Sequence, residues 1–165
     1  MTAIDSPAAA CWLTALRSYL LFVIPANLVW EIAHLPLYTI WKEPLGRRAF
    51  AIFHCTLGDA LIATATLVIA IVTFGSGAWP LGAPQFRRVA AVTIVMAVGY
   101  TIYSEWLNIS VRRGWAYSDL MPTLPWIGTG LSPVLQWIVV PAVGFAIARR
   151  VTLRATGVAL QASRS

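Results

Sequence analysis

Charge is what this chain has least of. Only 11% of its 165 residues are charged, against 59% hydrophobic and a mean hydropathy of +0.74, a balance that excludes an ordinary soluble domain. Cysteine is nearly absent too: Cys11 and Cys55 have no zinc-ligand spacing and make no disulfide framework. There is no internal repeat, and no Lys or Arg lies inside the long apolar runs. A net charge of +6 would suggest nucleic acid in a soluble protein. Here the arginines come as doublets at the ends of apolar runs: Arg47-Arg48, Arg87-Arg88, Arg112-Arg113 and Arg149-Arg150. Doublets so placed are helix-end anchors, which removes nucleic acid as a partner and makes the lipid bilayer the solvent.

What the chain does have is four apolar runs, at about 18–41, 49–75, 89–111 and 131–148, each long enough for one crossing at about 20 residues. They predict an all-α polytopic integral membrane protein, a four-transmembrane-helix bundle forming one domain over residues 1–165, with both termini on one side. A Gly/Pro-rich turn is expected at 76–86, an aromatic Pro/Gly-rich connector at 112–130 and a short mobile tail at 151–165. Residues 1–16 contain Asp5 and Pro7 but no basic residue, so a cleaved signal peptide is not expected. Seven basic residues (Arg17, Arg87, Arg88, Arg149, Arg150, Arg154, Arg164) mark the terminal side and five (Lys42, Arg47, Arg48, Arg112, Arg113) the other. The majority predicts cytoplasmic termini.

Against this apolar background the segment WEIAHLPLY, residues 30–38, is conspicuous for Glu31 and His34. Counted inward from Lys42, Arg48 and Arg112, the residues Glu31, His34, His54, Asp59, Glu105 and Asn108 share one slab, roughly 6 to 17 Å below one surface. Asn27, Glu31, His34 and Tyr38 follow the spacing of one helical stripe, and Thr101, Glu105, Asn108 and Arg112 repeat it on the third helix. On the second helix His54 and Asp59 lie five residues apart, about 140° around the axis, so both line one cavity only if it is wide or the helix distorts near Gly58, and His54 is the preferred one.

An ionised side chain at the bilayer centre costs roughly 2.5 to 3.5 kcal/mol on insertion scales. Glu31, Asp59 and Glu105 therefore need an answer: a retained proton, an imidazolium partner or a bound cation. Glu31, His34, His54 and Glu105 resemble a carboxylate/histidine set for a divalent metal such as iron, manganese or zinc. His34 and His54 are also at matching depth for the axial ligation of haem b. The plain alternative is a hydrogen-bonded network that fixes helix packing in an assembly factor or a subunit of a membrane-protein complex. A proton or solute relay is disfavoured, because the half nearer Arg17 and Arg88 is almost wholly apolar.

The stretch from Ser104 to Trp137 holds four tryptophans, Tyr117 and three prolines, and at its far end Gln136 enters the fourth helix. Most of these aromatics suit an interfacial belt. Trp115, Tyr117, Ser118 and Asp119, stiffened by Met121, Pro122 and Pro125, are expected to fold as a cover over the polar slab.

WEIAHLPLY, HCTLGD, SEWLN, RGWAYSDLMP, GTGLSP and QW together resemble a group of small bacterial inner-membrane proteins. That likeness implies location and fold, and no activity. The layout of Glu105, Asn108, Gly114, Trp115 and Tyr117 is similar to membrane-embedded lycopene cyclases and carotenoid hydratases, which follow it with a proline beside paired acids; here Trp126 and Ile127 follow Pro125. This second likeness implies acid–base chemistry on a lipophilic, isoprenoid-like ligand: Glu105 as acid, Glu31 and His34 as base, and His54, Asn108, Trp115 and Tyr117 lining the ligand site.

Overall fold

The computed structural model describes residues 7–75 and 78–162; Asp5 and residues 163–165 of the expected tail lie outside them. Four long helices make up the chain: α1 (Pro7–His34), α2 (Leu45–Phe74), α3 (Ala83–Trp106) and α4 (Leu131–Ala162). No strand is present among the described residues. Each helix contains a stretch long and apolar enough to cross a membrane, where intrahelical bonds are what satisfies the backbone in the absence of water. The protein is thus an all-α, four-helix membrane bundle. Side chains such as Leu21, Phe53, Val72 and Val95 are largely exposed on its outside, as lipid-facing positions require.

The helices form a ring in which α1 packs against α2 and α4, and α3 against α2 and α4. The α1–α4 seam is the tightest. At Gly144 an added Cβ would stand 2.7 Å from Val23 Cγ2 and 3.3 Å from Tyr19 Cδ2; the absent side chain is what lets the two helices approach. Around that point Tyr19 and Phe145 pack at a tilt of 40° with ring centroids 4.5 Å apart, and Phe86 meets Phe145 edge-on at 5.8 Å. With Val23, Leu67, Val89 and Trp137 these rings form the apolar core.

Helix ends depart from the apolar runs, for identifiable reasons. α1 begins at Pro7 instead of about 18, and α4 continues through residues 151–162, where a mobile tail was expected. The two extensions accompany each other: Thr152 is buried and Cys11 Sγ lies 3.5 Å from Thr156 Oγ1. The arginine doublet Arg149-Arg150 does not end the helix: the residues after it include Leu153, Arg154 and Ala155, good helix formers. At its other end α1 stops at His34 and not near 41, because Pro36 lacks an N–H and disfavours helical geometry at Leu35. Two 3-10 turns, Leu35–Leu37 and Thr39–Lys42, replace the missing helix, with Tyr38 extended between them (φ −117°, ψ 150°). Beyond Trp106, α3 widens into a π-helical turn at Leu107–Val111.

Candidate functional site

The break in α1 positions the site. Extended Tyr38 pairs antiparallel with Tyr117 of the 112–130 connector. Thr39 N donates to Ala116 O at 2.9 Å, Ser118 N to Leu37 O at 2.9 Å, and Ser118 Oγ to Pro36 O at 3.0 Å. At the connector's far end Leu131 N donates to Pro122 O at 2.7 Å. The connector is therefore clasped over one end of the bundle, on the side where the polar slab lies.

Beneath the clasp lies a cavity of about 380 Å³, within the range of small-molecule sites. Glu31, His34, His54, Glu105, Asn108 and Trp115 all line it, so three helices do bring their polar residues to one space. Tyr117 joins them through Glu105.

The polar groups fall into two clusters. In the first, His34 Nε2 meets Glu31 Oε2 at 3.2 Å while His34 Nδ1 lies 3.1 Å from Ser132 Oγ on α4. Gln136, also on α4, donates from Nε2 to Asp59 Oδ2 at 3.0 Å, to Glu31 Oε1 at 3.3 Å and to Asn27 Oδ1 at 3.3 Å. Two amide hydrogens thus serve three acceptors, one bond being shared. Asp59 and Glu31 are also in reach of each other, a contact between two carboxyl groups that holds only with a proton between them. α1, α2 and α4 are tied together at this point.

In the second cluster Glu105 Oε2 accepts from Tyr117 Oη at 2.5 Å and from Tyr38 Oη at 3.2 Å. Tyr117 Oη in turn accepts from Gly130 N at 2.7 Å, which ties the clasp to the carboxyl group. Burial above all, together with the adjacent Glu105, pushes both phenols well above their ordinary range; they remain protonated and act as donors. The Tyr38 ring packs edge-on to His34, with centroids 5.3 Å apart, and so bridges the clusters. Asn108 Nδ2 turns back to Ser104 O at 2.8 Å within the π-helical turn. Trp115 stands beside Glu105, whose carboxyl group is the neighbouring acceptor for its buried Nε1, without a hydrogen bond of good geometry.

Several expectations change. His54 and Asp59 both line the cavity: Asp59 is buried in the first cluster, while His54, the one preferred from the sequence, sits exposed at the rim, stacked on Phe50. The metal set Glu31, His34, His54 and Glu105 is not assembled as ligands: among the described residues no three His, Cys, Asp or Glu side chains group closely enough to hold a metal ion. The two ring nitrogens of His34 face Glu31 and Ser132, while His54 lies at the rim. Gln136, Ser132 and Cys55, whose thiol is in reach of Glu31, were not anticipated as site residues. A lone Gln near the start of a membrane helix was the available signal. Comparison with known protein families, curated proteins and solved structures yields no match for the chain.

Proposed function

We propose that this protein is a small membrane enzyme that admits a lipophilic, isoprenoid-like ligand into its one-sided cavity and moves protons on it. The observation that supports the reading is the pairing of two differently built carboxyl clusters across one cavity. Glu105 has both phenols on Oε2, which leaves Oε1 to carry a proton toward the ligand. Glu31, braced by His34 and Gln136, is the group that removes one. Protonation of an alkene followed by loss of a different proton isomerises or cyclises it without any redox partner. The faces of Tyr100, Trp115 and Trp137 in the cavity wall suit a transient carbocation. This chemistry agrees with the likeness to carotenoid cyclases and hydratases, and the small bacterial inner-membrane group is consistent with a location in that membrane. The basic-residue majority favours cytoplasmic termini, with the cavity opening on the opposite face.

A packing role is the second reading, favoured by the Gln136 hub that ties three helices together. One experiment separates the two. Wild-type and Glu105→Gln protein in nanodiscs are incubated in heavy water with a polyisoprenoid extract of bacterial membranes, and the recovered lipids are weighed by mass spectrometry. Deuterium entering a lipid with wild type alone is the expected result. Equal labelling with the variant, or none with either, defeats the enzymatic reading.

A further inference from the structure

The mouth of the cavity carries unanswered hydrogen-bond donors. Arg112 lines the cavity just past the π-helical turn and makes no ion pair among the described residues. Arg48 precedes Ala51 and Cys55, two cavity-lining residues, by three and seven positions, so it lies on the same face of α2, one turn further out. Its guanidinium packs on Trp41 at 4.9 Å, and its Nε is buried without a partner. Trp115 Nε1, whose neighbouring acceptor is the Glu105 carboxyl group, and Thr101 Oγ1, deeper in the cavity wall, are buried with no hydrogen bond of good geometry, and Thr101 is only 6% exposed. Thr101 is unlike Thr66, Thr93 and Thr152, whose hydroxyls all bond back to a carbonyl of their own helix. Buried donors of this kind persist where something supplies an acceptor.

The charge around the mouth is net basic. The segments 35–48 and 107–130 at this end hold five basic side chains (Lys42, Arg47, Arg48, Arg112, Arg113) against two acidic ones, Glu43 and Asp119. The deeper acids have donors of their own: Gln136 bonds to Glu31 and Asp59, and the two phenols bond to Glu105. Behind the mouth the wall is mixed: beside the two carboxyl clusters it presents apolar side chains, Leu35, Leu61, Ile62 and Trp137.

We infer that the cavity takes an amphiphile with an anionic, phosphate-type headgroup: Arg112, Arg48 and Trp115 hold the headgroup at the mouth, and the hydrocarbon chain lies inward along Leu35, Ile62 and Trp137. The inference rests on the cavity being a ligand site, as proposed above, and adds the class of ligand. An arginine fork matches phosphate oxygens in number and geometry, and it binds them more strongly than any neutral headgroup.

The test uses the full chain in phosphatidylcholine nanodiscs, with empty nanodiscs subtracted, and three probes: dodecyl phosphate, dodecanol and inorganic phosphate. Binding is followed by calorimetry. Wild type is expected to bind dodecyl phosphate, and Arg112→Gln to weaken it by about tenfold, the loss of one charge-assisted hydrogen bond, with dodecanol binding unchanged. Arg112 is exposed and unpaired, so the variant keeps its helix content, checked by circular dichroism. Gly58 lines the cavity, and a Cβ there meets nothing within 4 Å; Gly58→Phe is therefore expected to fill the space and abolish dodecyl phosphate binding. Equal binding of dodecanol and dodecyl phosphate, lost in Gly58→Phe but not in Arg112→Gln, overturns the anionic headgroup and leaves the cavity as a ligand site. Inorganic phosphate binding as tightly as dodecyl phosphate, untouched by Gly58→Phe, reduces the arginines to a surface anion site and overturns the inference. Absence of binding by both dodecyl probes overturns it together with the cavity reading.

Discussion

The two halves of the bundle bury their polar side chains in opposite ways. Toward the termini, Thr66, Thr93 and Thr152 each donate to a carbonyl one turn back on their own helix, at 2.7 to 2.8 Å, and between helices they contribute only shape. Toward the clasped end, Gln136 reaches α1 and α2, while Tyr38 and Tyr117 reach α3. One half closes on itself around Tyr19, Phe86 and Phe145, and the other leaves a cavity of about 380 Å³. Polarity in a membrane helix is therefore no marker of a site until it is known where the hydrogen bonds go.

Glycine provides the strongest test of this contrast. Gly144→Leu puts its Cβ 2.7 Å from Val23 Cγ2 in the closed half, and overpacking of this kind costs about 3 kcal/mol, or prevents assembly outright. Gly58→Leu, at the cavity wall, has open space, and removing a mid-helix glycine makes it neutral or stabilising by roughly 0.5–1 kcal/mol. Thermal unfolding in detergent reads both. A comparable loss in the two variants would mean that the open half is as tightly packed as the closed one. Next comes Gln136→Leu, which removes three cross-helix bonds worth on average about 0.6 kcal/mol each in membranes, roughly 2 kcal/mol together. The matching change in the other half, Thr93→Val, breaks only an intrahelical bond and should stay within about 0.5 kcal/mol. Equal effects would erase the distinction between the halves. Tyr117→Phe comes next: it deprives Glu105 of one donor and Gly130 N of its acceptor, about 1 kcal/mol. Amide exchange should quicken over residues 116–131 while the interior of α1 stays unchanged.

How much of this was legible in the sequence follows from the same contrast. Composition and run length carry the four crossings, because the bilayer dictates both. The one-turn spacing of Glu31 and His34 carries their contact, because helix geometry is local. Beyond one helix the information thins out. Which of His54 and Asp59 is buried depends on how α2 is rotated, which its own residues state only as an angle between the two. Tyr38 lies on the expected stripe by count, yet it reaches Glu105 because Pro36 ends the helix and leaves Tyr38 extended. The Gln136 hub depends on α4 meeting two other helices at one depth, and the clasp depends on backbone pairing between segments nearly eighty residues apart, such as Thr39 and Ala116. Neither leaves a periodic trace. Arginine doublets located helix ends poorly, as α4 shows by running past Arg149-Arg150 to Ala162.

The smallest expected effect concerns pH, and it distinguishes the clasped end from a merely exposed loop. Burial and Glu105 raise Tyr38 and Tyr117 above the ordinary phenol value, about 10 in water. A group whose proton is held more tightly in the folded state contributes stability that is complete below its unfolded value and is lost as pH climbs beyond it. The two phenols should therefore leave stability flat from neutral pH to about 10, then erode it above that point. In the native protein neither should add to the tyrosinate absorbance that the unfolded chain shows at about pH 10.5. Tyr117→Phe should flatten the alkaline decline without altering stability's shape below pH 9 or so. A Tyr38 or Tyr117 signal titrating at the ordinary phenol value while the helices stay intact would mean that water reaches the Glu105 carboxyl group, and that the clasp does not seal the open half of the bundle.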